Sequence, residues 1–266
     1  MLADAPTTAK RDRTAREQPT LEFHSVSRTL ASLPVLQSIE LEVECGSFVA
    51  LVGPSGCGKT TLLNLAAGLA QPDEGVVLYN GVPLLKPNTN AGYLTQDDAL
   101  LPWRDVLSNI ALPLEVKKVD KAVRTKAARR IIQKVGLVGF EHHRPAQLSG
   151  GMRKRVSLAR TLIYQPATLL LDEPFGALDA QTRMLMQNEL LELTRELGLT
   201  VLLVTHDIGE AIAMADRIIL LTARPARIVE VVDVSEADKR DIREEREHTL
   251  FSHIWNHLAE QSQIRG

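Results

Sequence analysis

Cysteine is scarce. Cys45 and Cys57 are the two in 266 residues, which excludes a disulfide framework and any cysteine-based metal spacing and fits a reducing cytosol. Aromatic residues are few, and none stands between Phe23 and Phe48. Neither sign of charge dominates: 31 Lys and Arg against 33 Asp and Glu leave a net charge of -2, which argues against a nucleic-acid-binding face as the main business. No apolar run approaches the ~20 residues of a membrane span, so work at a membrane would require a partner to hold the chain there. The opening residues lack the apolar core of a signal peptide. Lys10, Arg11, Arg13 and Arg16 alternate with Asp4, Asp12 and Glu17, and 1–19 reads as a disordered tail.

What is present centres on Gly53-Pro54-Ser55-Gly56-Cys57-Gly58-Lys59-Thr60-Thr61, which fits G-x-x-x-x-G-K-[ST]. The apolar run Phe48 to Val52 before it predicts a buried strand. Leu62, Leu63, Leu65, Ala66 and Leu69 after it predict a helix, with Gly68 as its stop. Between strand and helix, the glycines let successive N–H groups face one concavity, and the helix start adds partial positive charge. Lys59 then reaches the β- and γ-phosphates, and the Thr60 hydroxyl ligates Mg²⁺.

Leu21–His24, Ile39–Val43 and Val76–Tyr79 predict strands, the last followed by the hairpin signal Asn80-Gly81. With the short run Gly92-Tyr93-Leu94 they make a small antiparallel sheet beside the loop. About 97–160 reads as a helical subdomain. There Asp120 is a candidate cap, Val123, Ala127, Ile131 and Val135 the inner stripe, and Gly136 a stop. Lys121, Arg124, Lys126, Arg129, Arg130 and Lys134 form a solvated face. Leu148-Ser149-Gly150-Gly151 opens a second amphipathic helix with Val156, Ala159, Leu162 and Ile163 inside, a further anion-binding helix start. The runs Thr168–Leu171, Thr200–Thr205 and Arg217–Leu221, with helices between them, predict a parallel sheet covered on both faces. The end, 226–266, reads as a strand and a charged helix from about Glu236. Leu250, Phe251, Ile254, Trp255 and Leu258 make one apolar stripe docked on the domain. His253 and His257, four apart, lack a third metal ligand in view.

An apolar strand ending at Asp172 places a carboxylate to hold Mg²⁺, and the adjacent Glu173 to polarise an attacking water. Gln96 and His206 each follow a strand. Together with Leu148-Ser149-Gly150-Gly151, this ordered set resembles the ATP-binding subunit of an ABC transporter from about residue 20 to about 225. The likeness is nearest to the nitrate/sulfonate/taurine importer group, through Leu101-Pro-Trp-Arg-Asp-Val106, Met152, Pro174-Phe-Gly-Ala-Leu-Asp-Ala180 and Ala223-Arg-Pro-Ala-Arg-Ile228. The implied fold is an α/β P-loop ABC ATPase core, a mixed sheet flanked by helices, with an antiparallel β subdomain and a helical subdomain.

The resemblance implies ATP held on residues Gly53 to Thr61, with Ser149, Gly150 and Gly151 of a second copy covering the γ-phosphate, hence a homodimer with cooperative hydrolysis. It implies Glu173 as general base, His206 as the γ-phosphate contact, and Gln96 as the link between Mg²⁺, water and a transmembrane permease. Thr60, Gln96 and Asp172 are the implied metal set, and Asp179 sits at the dimer seam. The subunit would lie peripherally on the cytoplasmic face of the inner membrane, in contact with ATP and partner proteins. An extracytoplasmic solute-binding protein would be an indirect partner, and nucleic acid is not expected. Sulfonate or taurine ranks first as solute, then nitrate, then a pyrimidine precursor. Trp103 either joins the groove for a permease helix or packs inside the helical subdomain.

The family's adenine-stacking aromatic is replaced by Leu30, which implies weaker or less base-selective nucleotide binding. Met152 replaces a commoner glutamine. Cys57, inside the loop, reads first as an ordinary small residue; its place near a helix start leaves a thiol of lowered pKa, open to oxidation, as the other reading. A cassette ATPase of DNA repair would need a coiled-coil insertion, and a translation-type protein a second cassette. A kinase or GTPase has no reason to carry Leu148–Gly151. A soluble ABC ATPase in a non-transport process stands as the alternative.

Overall fold

A computed structural model describes residues 19–176, 178–234 and 245–263. All but the last residue of the expected tail therefore lies outside the described residues, as do 235–244 and Ala177. Pro19, assigned above to the tail, instead opens the first strand.

Two sheets meet over a common core. The first has four antiparallel strands: β1 (Pro19–Leu30), β2 (Leu33–Glu44), β4 (Glu74–Tyr79) and β5 (Val82–Pro83), in the order β2-β1-β4-β5. Ile39, Leu41 and Val43 point inward from β2 while their neighbours are exposed, as alternation predicts. β1 and β2 run well beyond the short segments expected. Register shifts between Phe23 and Val26 and between Val26 and Arg28 interrupt the alternation that marks a strand in sequence. Asn80 and Gly81 both take positive φ, 50° and 72°, and join β4 to β5 as the expected tight turn.

The second sheet has six strands, in the order β10-β9-β3-β8-β7-β6. They are β3 (Phe48–Val52), β6 (Ala91–Leu94), β7 (Thr168–Asp172), β8 (Thr200–Thr205), β9 (Arg217–Leu221) and β10 (Ile228–Asp233). Its pairings are parallel except β10 on β9. β3, β7 and β8 are buried at every position, which explains their continuous apolar runs. One expectation is corrected here: Gly92–Leu94 does not join the antiparallel sheet but forms the edge strand β6, parallel to β7. A four-residue run carries no pairing direction, so its sequence could not assign it to a sheet.

Helix α1 (Lys59–Ala66) leaves β3 through the glycine-rich loop. It ends before Gly68 (φ 67°), so Leu69, 59% exposed, falls outside the helix expected to include it. α2 (Val106–Val116), α3 (Lys121–Lys134) and α4 (Gly150–Leu162) pack on one another around Ile110, Ile132, Leu137 and Val156. Asp120 caps α3 through the N–H groups of Ala122 and Val123, as expected. The expected inner stripe of α3 is rotated, however. Ala128, Ile132 and Val135 are the buried residues, Ala127 and Ile131 are partly buried, and Val123 is 58% exposed. Four residues advance a helix by roughly 40° past a full turn, so three such steps carry Val123 about 120° away from Val135.

The remaining face of the parallel sheet is covered by α5 (Ala180–Leu197), α6 (Ile208–Met214) and α7 (Glu245–Gln263). The apolar stripe of α7 splits. Ile254 is fully buried with Leu250 and Leu258 against it, whereas Phe251 and Trp255 stack on each other at 6.3 Å on the exposed side. His253 and His257 both turn to Glu230, at 2.8 and 3.6 Å.

Candidate active site

β3 lies between β8 and β9, so the loop after Val52 emerges at the carboxyl edge of the parallel sheet, beside the ends of β7 and β8. In that loop Ser55 and Gly56 are exposed, while Lys59 is 5% exposed and donates to the carbonyls of Gly53 (2.7 Å) and Pro54 (2.9 Å). Arg224, after β9, donates its Nε to the Gly56 carbonyl at 3.0 Å, and its Nη2 reaches the same oxygen. Cys57 is 1% exposed. Burial pushes its thiol up, against smaller opposing effects led by the Lys59 charge. This reverses the expectation of a lowered pKa: the Sγ faces the core next to Gly53, and the loss of solvent outweighs the helix start.

Three strand ends converge next to the loop. Asp172 closes β7, 6% exposed, and accepts from the Thr60 hydroxyl at 3.2 Å. Burial pushes its carboxyl up. The Thr60 hydrogen bond opposes that shift, and the Glu173 charge adds to it. Glu173 has φ 43° and donates its N–H to the Val204 carbonyl at 2.9 Å, which turns its side chain out of the sheet. Such a backbone in a non-glycine residue costs about 1–3 kcal/mol and persists only where its surroundings impose it. The Gln96 amide donates to Glu173 Oε2 at 3.3 Å, and His206 Nδ1 lies 3.2 Å from Glu173 Oε1. The three residues named as catalytic thus meet on one carboxylate. Gln96 touches Glu173, and no hydrogen bond joins it to Thr60 or Asp172 among the described residues.

Ser149 caps α4, accepting from the Met152 N–H at 3.2 Å. Among the described residues no hydrogen bond joins Ser149, Gly150 or Gly151 to the Gly53–Thr61 loop of the same chain. A polar face of α4 grips the segment after β6. Lys154, 4% exposed, donates to the Gln96 carbonyl at 2.5 Å and pairs with Asp98 at 3.3 Å. Ser157 and Arg160 bind the carbonyls of Asp98 and Ala99. Asp179 caps α5 through the Thr182 N–H, which lowers its carboxyl pKa. Trp103 is 69% exposed, so it does not pack inside the helical subdomain. Its loop is held by the buried Asn109 carboxamide, which accepts from the Leu101 N–H and donates to the carbonyls of Leu101, Arg104 and Asp105. Leu30 and Leu33 pair across the end of the β1–β2 hairpin, 44% and 57% exposed.

Sequence reasoning passed over Asn109, Lys154, Arg183 and Glu210. Only Glu210 left a trace: an acid on an otherwise apolar helix, three residues after its Asp207 cap. It is 7% exposed and accepts from the Thr205 hydroxyl at 2.7 Å. Burial pushes its carboxyl from 4.5 up to about 7. The folded chain therefore holds a proton that the unfolded chain has released. This contribution to stability is full below pH 4.5 and falls as pH rises to about 7, by about 3 kcal/mol in all. Glu210→Gln is expected to flatten the unfolding free energy across that window in chemical denaturation. Wild-type and variant slopes that coincide would refute this.

Known proteins resemble this chain in sequence and in fold. The family model described as ABC transporter matches residues 36–176. Taurine import ATP-binding protein TauB of Yersinia pestis bv. Antiqua (strain Antiqua) is 49% identical over 197 residues, covering 74% of this chain and 77% of that protein. An uncharacterized ABC transporter ATP-binding protein of Methanocaldococcus jannaschii is 50% identical over 195 residues, 73% of each chain. A solved ATP-binding cassette, dimeric in a post-hydrolysis state with ADP and Pi, is 30% identical and superposes with a TM-score of 0.71 over 81% of this chain and 99% of its own. Likeness of this depth, running through both the phosphate loop and the acidic strand end, makes the chain a member of the ABC transporter family, an ATP-hydrolysing ATP-binding subunit.

Proposed function

We propose that this subunit powers uptake of a small organic sulfonate of the taurine type, with nitrate as the next candidate, through a separate transmembrane permease. The observation that carries the hydrolytic part is the meeting of Gln96 and His206 on Glu173, one residue beyond the Thr60–Asp172 hydrogen bond. The solute class draws on the likeness to TauB. No described helix is long and apolar enough to cross a membrane, in keeping with a peripheral subunit held at the cytoplasmic face by the permease. A solute-binding protein on the other side then acts on it only through that permease.

In this reading the backbone N–H groups of Gly53 to Thr61 and the Lys59 ammonium bind the β- and γ-phosphates, so Lys59 exchanges its two carbonyl partners for phosphate oxygens. Thr60 and Asp172 are hard oxygen donors, and a carboxyl pushed up by burial, with the Glu173 charge adding to the shift, fits a divalent cation. Mg²⁺ held there, with Gln96 at its edge, would supply charge neutralisation to the phosphates. Glu173 orients a water and takes its proton as the water oxygen bonds to the γ-phosphorus and the bond to the ADP oxygen breaks. His206 donates to the γ-phosphate oxygens. Ser149 caps α4 and Gly150 and Gly151 open it, with no hydrogen bond to their own loop among the described residues, as suits donation to a second copy, and Asp179 lies at the seam between copies. Leu30 and Leu33 offer adenine an aliphatic rest where the family uses an aromatic.

The test is the assembled transporter in proteoliposomes. ATP hydrolysis is expected to rise severalfold when taurine-loaded binding protein is supplied on the outside. A rise with nitrate alone would replace the sulfonate assignment, and no response to any loaded binding protein would remove the import reading.

A further inference from the structure

Arg183 stands in the first turn of α5, four residues after Asp179, and its guanidinium reaches two loops at once. Nη1 donates to Asp207 Oδ2 at 3.2 Å, and Nη2 donates to the Leu178 carbonyl at 3.1 Å. Asp207 directly follows His206, and Leu178 directly precedes Asp179. The Asp207 end is held from its other side as well. Its Oδ1 accepts from the Glu210 N–H at 3.0 Å, and its own N–H donates to the Thr205 hydroxyl at 3.0 Å. That hydroxyl in turn donates to the Glu210 carboxyl, buried beneath the loop. His206 is thus flanked by two residues, Thr205 and Asp207, whose side chains are both tied down, while its ring is left to reach Glu173.

We infer that Arg183 is a positioning residue for hydrolysis. One planar, two-pronged side chain sets the loop bearing His206 and the loop bearing Asp179, so the γ-phosphate contact of a subunit and its edge at the dimer seam move as a unit. A lysine ammonium carries three donors on a flexible stem but no planar fork, so it would hold the two partners in a less fixed geometry. The link also gives each site a physical reason to sense the other: a shift at the seam is carried through Leu178 and Arg183 to Asp207 and the histidine beside it. This rests on the roles given to His206 and Asp179 above.

The experiment uses the full transporter and reads kcat, KM for ATP and the Hill coefficient for wild type, Arg183→Met, Arg183→Lys, Asp207→Asn and the Arg183→Met/Asp207→Asn double variant. His206→Ala is measured in parallel. Displacement of a catalytic group costs about 10- to 100-fold, so Arg183→Met should lower kcat by that much with KM within about twofold. Its Hill coefficient should fall toward one, and Arg183→Lys should lie between. Asn at 207 can still cap α6, so Asp207→Asn isolates the lost charge pair and stands in if the Arg183 variants fold poorly. The double variant should be no worse than Arg183→Met alone. Wild-type kcat and cooperativity in Arg183→Met or, failing that, in Asp207→Asn would overturn the inference, and so would losses that multiply in the double variant. If His206→Ala keeps full activity, the histidine's role fails and the inference falls with it. Loss of activity in His206→Ala with none in Arg183→Met overturns the inference alone.

Discussion

Glu173→Gln is expected to cut ATP turnover about 10²- to 10⁴-fold while leaving ATP bound, the range a positioned general base supplies. That loss corresponds to about 3–5 kcal/mol of transition-state stabilisation. The change is nearly isosteric. It preserves a side-chain oxygen for the Gln96 amide, now 3.3 Å from Oε2, and replaces the oxygen that faces His206, and with it the ability to take a proton from water, by an uncharged amide nitrogen. The backbone is already held at φ 43° by the Val204 carbonyl, so the amide occupies the same place as the carboxylate. Single-turnover hydrolysis and size-exclusion chromatography with ATP would read both halves of the expectation: slow chemistry and accumulation of the ATP-bound dimer. Turnover within tenfold of wild type would mean that another group accepts the proton.

Gly58→Ala is expected to weaken ATP binding by more than about 100-fold and to lower stability by about 2–4 kcal/mol, combining a strained backbone with a filled contact. Gly58 sits at φ 128°, outside the range open to L side chains. A Cβ there would also stand 2.8 Å from Val35 Cγ1 and 2.9 Å from Leu36 Cδ2. Neither neighbour can withdraw. Val35 and Leu36 are 4% and 1% exposed, and the Val35 carbonyl is bonded to the Ala226 N–H at 2.8 Å. The loop would have to rotate instead, turning N–H groups away from the phosphates just where α1 begins. Fluorescent-nucleotide titration and thermal unfolding measure the two effects. Wild-type affinity in a folded variant would show that the loop accommodates the methyl without losing its phosphate cradle.

Much of this was legible in the chain. The motif from Gly53 to Thr61, the apolar strands that end at Asp172 and Thr205, the Asp120 cap and the Asn80-Gly81 turn all answer to hydrogen-bonding or steric needs of residues adjacent in sequence. Such needs are written locally, so they can be read locally. The order of Gln96, Ser149, Asp172, Glu173 and His206 between those elements carried the family resemblance before any contact was known.

What the tertiary structure decided was which side chains meet. Sheet order places β7 between β8 and β6, and that brings His206 and Gln96 to Glu173 from 33 and 77 residues away. It set β6 in the parallel sheet, turned Cys57 into the core where burial outweighs the helix start, left Trp103 exposed, and brought Arg224 to the phosphate loop. It also tied the neighbours of His206 and Asp179 together through Arg183. Local sequence specifies a strand's turns, caps and buried faces, but the partner beside it is chosen by the packing of the whole core, and so are the distances on which the chemistry depends.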